Sequence, residues 1–225
     1  MRTVLVPGFT QTAESWRPVL DRLEPGVEAV PLDVPDGVDF VDTAAALARA
    51  GGRAMYVGYS MGGRLCLQLA LDHPQQVAGL VLVSASPGIA EPSERAARRE
   101  ADERLAVGIE RDGVDAFLER WLAQPLFATL PASAAGIEQR RTNTVARLTH
   151  QLRALGQGVQ PSLWERLGEL CAPVHLVTGQ LDTKYTRIAS DVSRRVPHAR
   201  VTTVEGAGHA VHLERPAAVA QLLTS

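Results

Sequence analysis

Three short stretches of the 225-residue chain carry side chains that could do chemistry together. Gly58-Tyr59-Ser60-Met61-Gly62 has the G-x-S-x-G spacing of a nucleophile elbow, Gly179-Gln180-Leu181-Asp182 offers a carboxylate, and Gly206-Ala207-Gly208-His209 offers an imidazole. A serine hydroxyl is a poor base or nucleophile at its ordinary pKa and needs a neighbour to take its proton. His209 is the candidate acceptor. Asp182 would take the other ring N–H, fix the tautomer and stabilise the imidazolium. Singly, Asp182 reads equally as a helix cap and His209 as a loop histidine. The order Ser, Asp, His, each at a strand end, is what argues for a triad.

The elements needed to hold these groups are legible around them. Ala54–Val57 is an apolar run before the elbow, and Leu65, Leu67, Leu69, Ala70 and Leu71 follow it, so the order is strand, tight turn, helix. Strands are also expected at Thr3–Val6, Val27–Leu32, Val77–Ala85, Val174–Thr178 and Arg200–Val204, with helices at Glu14–Leu23, Phe40–Ala50, Thr186–Val196 and Ala217–Leu223. This alternation predicts an α/β protein with a mostly parallel six-stranded sheet covered on both faces. From Ser86 to Trp164 the strand signal stops, and helices are expected at Glu94–Val107, Val114–Trp121 and Ile137–Leu155. Residues 1–85 and 165–225 therefore read as the core, and 86–164 as a helical cap inserted after the fourth strand. Open parallel sheets bind ligands beyond the carboxyl ends of their strands, where all three stretches fall.

Composition excludes several classes. The chain is 45% hydrophobic and 21% charged with a net charge of −2, which suggests neither a nucleic-acid nor a membrane partner. Cys66 and Cys171 form no disulfide framework or zinc pattern, and Asp33, Asp36, Asp39 and Asp42 do not match a calcium loop. His209-Ala210-Val211-His212 lacks the further ligands a metal site needs, so His212 is assigned a supporting or packing role. No cofactor or metal is expected. Without a leader-like or spanning segment, a soluble cytoplasmic protein is expected, and whether it forms a homo-oligomer is left open.

The elbow, the cap and the C-terminal loops together resemble the α/β-hydrolase superfamily over nearly the full length. In that fold an oxyanion hole uses the N–H after the nucleophile and one from the loop after the first strand, here Met61 and Phe9. Three stretches more specifically resemble the 2-succinyl-6-hydroxy-2,4-cyclohexadiene-1-carboxylate synthases of menaquinone biosynthesis. They are Gly58-Tyr59-Ser60-Met61-Gly62-Gly63-Arg64, Arg120-Trp121-Leu122-Ala123-Gln124-Pro125-Leu126-Phe127, and Gly206-Ala207-Gly208-His209-Ala210-Val211-His212-Leu213-Glu214-Arg215-Pro216. The first and last are partly shared with other hydrolases, and the W-x-x-Q-P-x-F segment containing Trp121 is the more discriminating.

The resemblance implies an elimination that releases pyruvate from a small substrate bearing several carboxylates. Ser60, activated by His209 and Asp182, would abstract a proton, and Tyr59 would stand either at the hole or in the packing beside it. Fixed guanidinium groups suit carboxylates. Arg64 lies one turn beyond Ser60, Arg141 in Arg141-Thr142-Asn143 matches a family substrate-binding arginine, and Arg98 and Arg99 compete for another. Arg140, Arg147 and Arg153 are assigned to a solvated helix face. Two departures border the pocket: Pro7 stands where the family has histidine, and Asp33-Val34-Pro35-Asp36-Gly37 replaces its D-x-P-G-H-G loop. The two N-terminal strands of larger relatives are expected to be missing. The alternatives are a carboxylesterase or C–C bond hydrolase, and a non-catalytic ligand-binding member of the fold.

Overall fold

Thr3-Val4-Leu5-Val6 opens the sheet as β1 (Thr3–Val6), and all four side chains are buried, as befits a strand covered on both faces. In the computed structural model, which describes residues 2–196 and 198–224, a 3-10 turn at Ala13–Trp16 leads into α1 (Arg17–Leu20). There follow β2 (Ala29–Pro31), α2 (Phe40–Gly51), β3 (Ala54–Tyr59), α3 (Met61–Asp72) and β4 (Val77–Val83). Only helices and 3-10 turns occur between β4 and the next strand among the described residues: α4 (Pro92–Leu122), α5 (Ile137–Arg141) and α6 (Val145–Leu155). The alternation then resumes with β5 (Val174–Gly179), α7 (Thr183–Ser193), β6 (Arg200–Val204), α8 (Val211–Glu214) and α9 (Pro216–Thr224).

The six strands are all parallel in the order β2-β1-β3-β4-β5-β6. Register places Val6 beside Gly58, Tyr59 beside Val83 and Gly179 beside Val204, so the turns after β3, β5 and β6 emerge at one edge. Successive side chains point to opposite faces. Val4 and Val6 accordingly join a core with α2 and α3, while Leu5 joins one with Trp16, Val211 and Val219. A third, smaller core of Ala106, Ile109, Phe117, Leu118, Leu148 and Leu152 lies within the inserted helices, and Phe9 from the loop after β1 packs against it.

Helix boundaries follow local chemistry. Asp39 caps α2 through the Asp42 N–H, and Thr144 caps α6 through the Arg147 N–H. Glu94–Val107 and Val114–Trp121 fall, as expected, on two helical stretches of α4, which are separated at Gly113, whose φ of 80° and ψ of 176° lie outside the helical region. Two expectations are corrected. The first helix is shorter than Glu14–Leu23, being a 3-10 turn and one helical turn around Pro18. Ile137–Leu155 is split, because Thr142 ends α5 and Thr144 starts α6. The turn α8, directly after the His209 loop, carried no periodicity long enough to be read.

Candidate active site

Ser60 is held between two hydrogen-bond systems. Its N–H donates to Val83 O at 2.9 Å, continuing the sheet, while its carbonyl accepts the Arg64 N–H at 3.0 Å, beginning α3. One residue can belong to both only by turning sharply, and Ser60 has φ 49° and ψ −107°. A non-glycine residue held there stores about 1–3 kcal/mol of strain. The flanking glycines make the crossing possible: a Cβ on Gly62 would lie 2.3 Å from Val6 O, and one on Gly58 would lie 2.5 Å from Gly62 O.

Asp182 reconciles its two readings. Its Oδ1 accepts the Tyr185 N–H at 3.2 Å, capping α7, while its Oδ2 lies 2.7 Å from His209 Nδ1. His209 Nε2 is 3.3 Å from Ser60 Oγ. With Nδ1–H engaged by the carboxylate, Nε2 faces the serine with its lone pair, the tautomer a proton acceptor requires. The His209 ring is buried among Tyr59, Tyr185 and Phe127. Its loop is tied down by buried Glu214, which accepts the Gly208 N–H at 2.8 Å and the Ala210 N–H at 3.0 Å. Glu214 was missed as a site residue. Its one signal was an acid six residues after Gly208.

Behind the relay, His212 is fully buried between Trp16 and Tyr59, with ring centroids 4.7 and 4.2 Å away. Burial, with Arg140 and His209 nearby, pushes its pKa well below the ordinary histidine value, so the ring is neutral. Its Nε2 pairs with Gln11 Oε1 at 3.2 Å, and the Gly8 N–H donates to the same oxygen at 3.4 Å. His212 thus packs beneath the site and props the loop after β1.

That loop carries Phe9. Neither the Phe9 N–H nor the Met61 N–H has a protein acceptor among the described bonds. Thr10, next in the chain, is fully buried with φ 69°. The inserted helices hold it there: Arg140 Nη1 donates to Thr10 Oγ1, Asn143 Nδ2 to Thr10 O at 2.9 Å, and Gln139 Nε2 to Thr12 Oγ1. Arg140 is therefore not on a solvated face. It is 1% exposed, and packing against the β1 loop is the reason. Arg147 is likewise drawn inward, donating to Val34 O and pairing with Asp33 and Asp36. Arg153 does lie on an outer face, between Glu103 and Glu110.

Ser60 and His209 open into a cavity of about 290 Å³. Tyr59, Phe9, Met61, Arg64, Arg98 and Trp121 line it, whereas Arg99 and Arg141 do not. Arg99 points to Gly158 O instead, and Arg141 is exposed and paired with Asp115 and Glu138, because α5 turns Arg140 rather than Arg141 toward the core. Arg98 pairs with buried Asp102 at 2.8 Å. Among the described residues, Arg64 and Arg140 are the two buried arginines without a carboxylate partner, and of these Arg64 is the one that lines the cavity. It is 5% exposed, and its only donor contacts are to neutral oxygens, Gln160 Oε1 at 2.9 Å and Leu155 O at 2.8 Å, with Phe40 under the guanidinium at 5.6 Å. Burial lowers its pKa to about 10, so it stays charged at neutral pH. Lys184 also lines the cavity and was missed; it is the chain's one lysine, two residues past Asp182. Among the described residues no cluster of histidine, cysteine and acids could hold a metal, and no helix is long and apolar enough to cross a membrane.

A parallel sheet with a strained serine turn after one strand, an acid and a histidine after two others, and helices inserted between β4 and β5 defines an α/β-hydrolase fold. The chain belongs to the alpha/beta hydrolase family, which it matches over residues 3–222. Within it, several relatives carry the name of one synthase. A protein of Enterobacter sp. (strain 638) named 2-succinyl-6-hydroxy-2,4-cyclohexadiene-1-carboxylate synthase is 31% identical, the match covering 98% of this chain and 89% of that one. A Bacillus subtilis (strain 168) protein provisionally given the same name is 40% identical over 71% of this chain, a match that spans 60% of the relative's length. The solved structure of MenH from S. aureus superposes with a TM-score of 0.91, covering 99% of this chain and 91% of the other at 24% identity, which attests the fold.

Proposed function

We propose that this chain eliminates pyruvate from 2-succinyl-5-enolpyruvyl-6-hydroxy-3-cyclohexene-1-carboxylate, with Ser60, His209 and Asp182 as a proton relay rather than an acylating triad. Residues 86–164 act as the cap that closes the cavity over the sheet edge. Ser60 Oγ, losing its proton to His209, removes the ring proton beside the succinyl ketone. The C–H electron pair moves toward the ketone oxygen, and the Phe9 and Met61 N–H groups are the candidates to receive that developing charge. Its return forms a new ring double bond beside the ketone, shifts the existing ring double bond by one position and breaks the C–O bond, and the expelled enolpyruvyl oxygen takes up the proton held on His209. The products are a ring with two conjugated double bonds and pyruvate enol, which becomes pyruvate.

The observation that carries this reading is Arg64. Its buried guanidinium faces the cavity beside the serine relay with no carboxylate partner, and so offers its charge to an anionic ligand, whereas Arg140, equally without a carboxylate, is turned to Ala135 O and Thr10 Oγ1 and away from the cavity. Arg98 and Lys184 on the same cavity add positive charge. The synthase names of the relatives support the same substrate class. The relay distances would serve an esterase equally well, so hydrolysis is the second reading.

Incubating the protein with the freshly generated intermediate and following pyruvate tests the proposal. Pyruvate release with no covalent adduct on Ser60 is expected. Rapid acylation by a simple ester, with no pyruvate formed, would transfer the assignment to the hydrolases. If both are negative, ligand binding alone survives.

A further inference from the structure

Gln151, on α6, lines the cavity and is 1% exposed, yet neither its Oε1 nor its Nε2 has a hydrogen-bond partner. The same wall supplies Leu105 and Leu152, so an aliphatic side chain of similar length would fill the space without taking an amide out of water. Folding alone gives no use for the amide. Trp121, also on the cavity, buries its indole N–H without an acceptor. Carboxylates have other partners in this cavity, namely Arg64, Arg98 and Lys184. An amide is uncharged and both donates and accepts, which matches a hydroxyl group, itself both donor and acceptor.

We propose that Gln151 is a specificity-determining residue that bonds the ring hydroxyl of the substrate, its Oε1 accepting the hydroxyl proton and its Nε2–H donating to the hydroxyl oxygen. This rests on the reaction proposed above. A site built to bond a hydroxyl discriminates strongly against an analogue that lacks it, because the buried polar groups are then left unpaired.

Gln151→Met keeps the side-chain length and removes both polar atoms. With the pathway intermediate, KM is expected to rise at least about tenfold while kcat changes less than about threefold, since the contact is made equally in the ground and transition states. The ligand-free variant is expected to melt at or above the wild-type temperature, because it no longer buries an unbonded amide. Gln151→Glu, which keeps the shape but adds charge beside an anionic ligand, is expected to raise KM further. A wild-type KM in Gln151→Met, or a melting temperature several degrees below wild type, would overturn the assignment. Failure of the wild-type protein to release pyruvate would count against the reaction instead. The melting comparison needs no substrate and would then decide whether the amide serves the fold.

Discussion

At the carboxyl edge of the sheet, Ser60, Asp182 and His209 are set by hydrogen bonds to backbone groups in or beside their own turns. In the helices between β4 and β5, the groups that reach the cavity or the loops below it are set by long side chains. Ser60 has its N–H in the sheet and its carbonyl in α3, Asp182 caps α7, and the His209 loop is pinned through the Gly208 and Ala210 N–H groups. Above them, Arg98 is oriented by Asp102 and Arg147 by two aspartates, while the Arg140 and Asn143 side chains both reach down to Thr10. Backbone-fixed groups sit where the chemistry needs sub-ångström placement. Side-chain-fixed groups sit where charge and shape suffice, and there adjacent residues can part ways, as Arg140 turns inward to Thr10 while Arg141 stays on the surface.

This contrast can be broken at graded cost. Ser60→Ala or His209→Ala should each lower kcat by about 10³-fold or more with little change in melting temperature, because removing one member of a relay disables the whole. A variant retaining a tenth of wild-type turnover would show that the edge is not where the reaction occurs. Arg64→Ala removes one charge-assisted contact of about 1.5–3 kcal/mol, so kcat/KM for an anionic substrate should fall about ten- to a hundredfold. Unchanged kinetics would remove the carboxylate contact from that position.

Beneath the edge, pH offers a test on stability. The folded-state pKa of His212 lies below its unfolded value, so the unfolded chain binds the extra proton first as pH falls. The contribution of neutral His212 is complete above the unfolded value of about 6.5 and declines below it, by up to about 1.4 kcal/mol per pH unit. Melting curves from pH 8 to 5 should fall more steeply for wild type than for His212→Gln; parallel curves would mean the ring is not held neutral. A smaller effect is expected where the two regions meet. Asn143→Ala frees Thr10 O and loosens the loop carrying Phe9, so kcat should drop about tenfold with KM nearly constant. A rise in KM alone would place Asn143 in substrate binding. Least of all, Arg141→Ala should leave turnover within about twofold, since its partners, Asp115 and Glu138, are on the surface.

The same contrast explains what the sequence disclosed. The strands, the elbow and the two other turns were readable because apolar periodicity and turn glycines are local signals; β1 and β6 fall on the expected residues. The arginines were not. Arg140 and Arg141 are adjacent and chemically identical, and which of them faces inward depends on where α5 begins, at a left-handed Gly136 that no periodicity marked. Gln151 and Lys184 were invisible for a related reason. Lining a cavity is a property of how α6 and α7 pack, and a lone glutamine or lysine carries no spacing to detect.

Thr10 joins the two regions, holding a left-handed backbone while its hydroxyl and carbonyl are both bonded by residues of the inserted helices. A roof transplanted from another member of the fold would have to bring equivalents of Arg140 and Asn143 with it. Without them the threonine is free to relax into a more comfortable backbone shape, and the graft would inherit a new pocket over a blunted reaction centre.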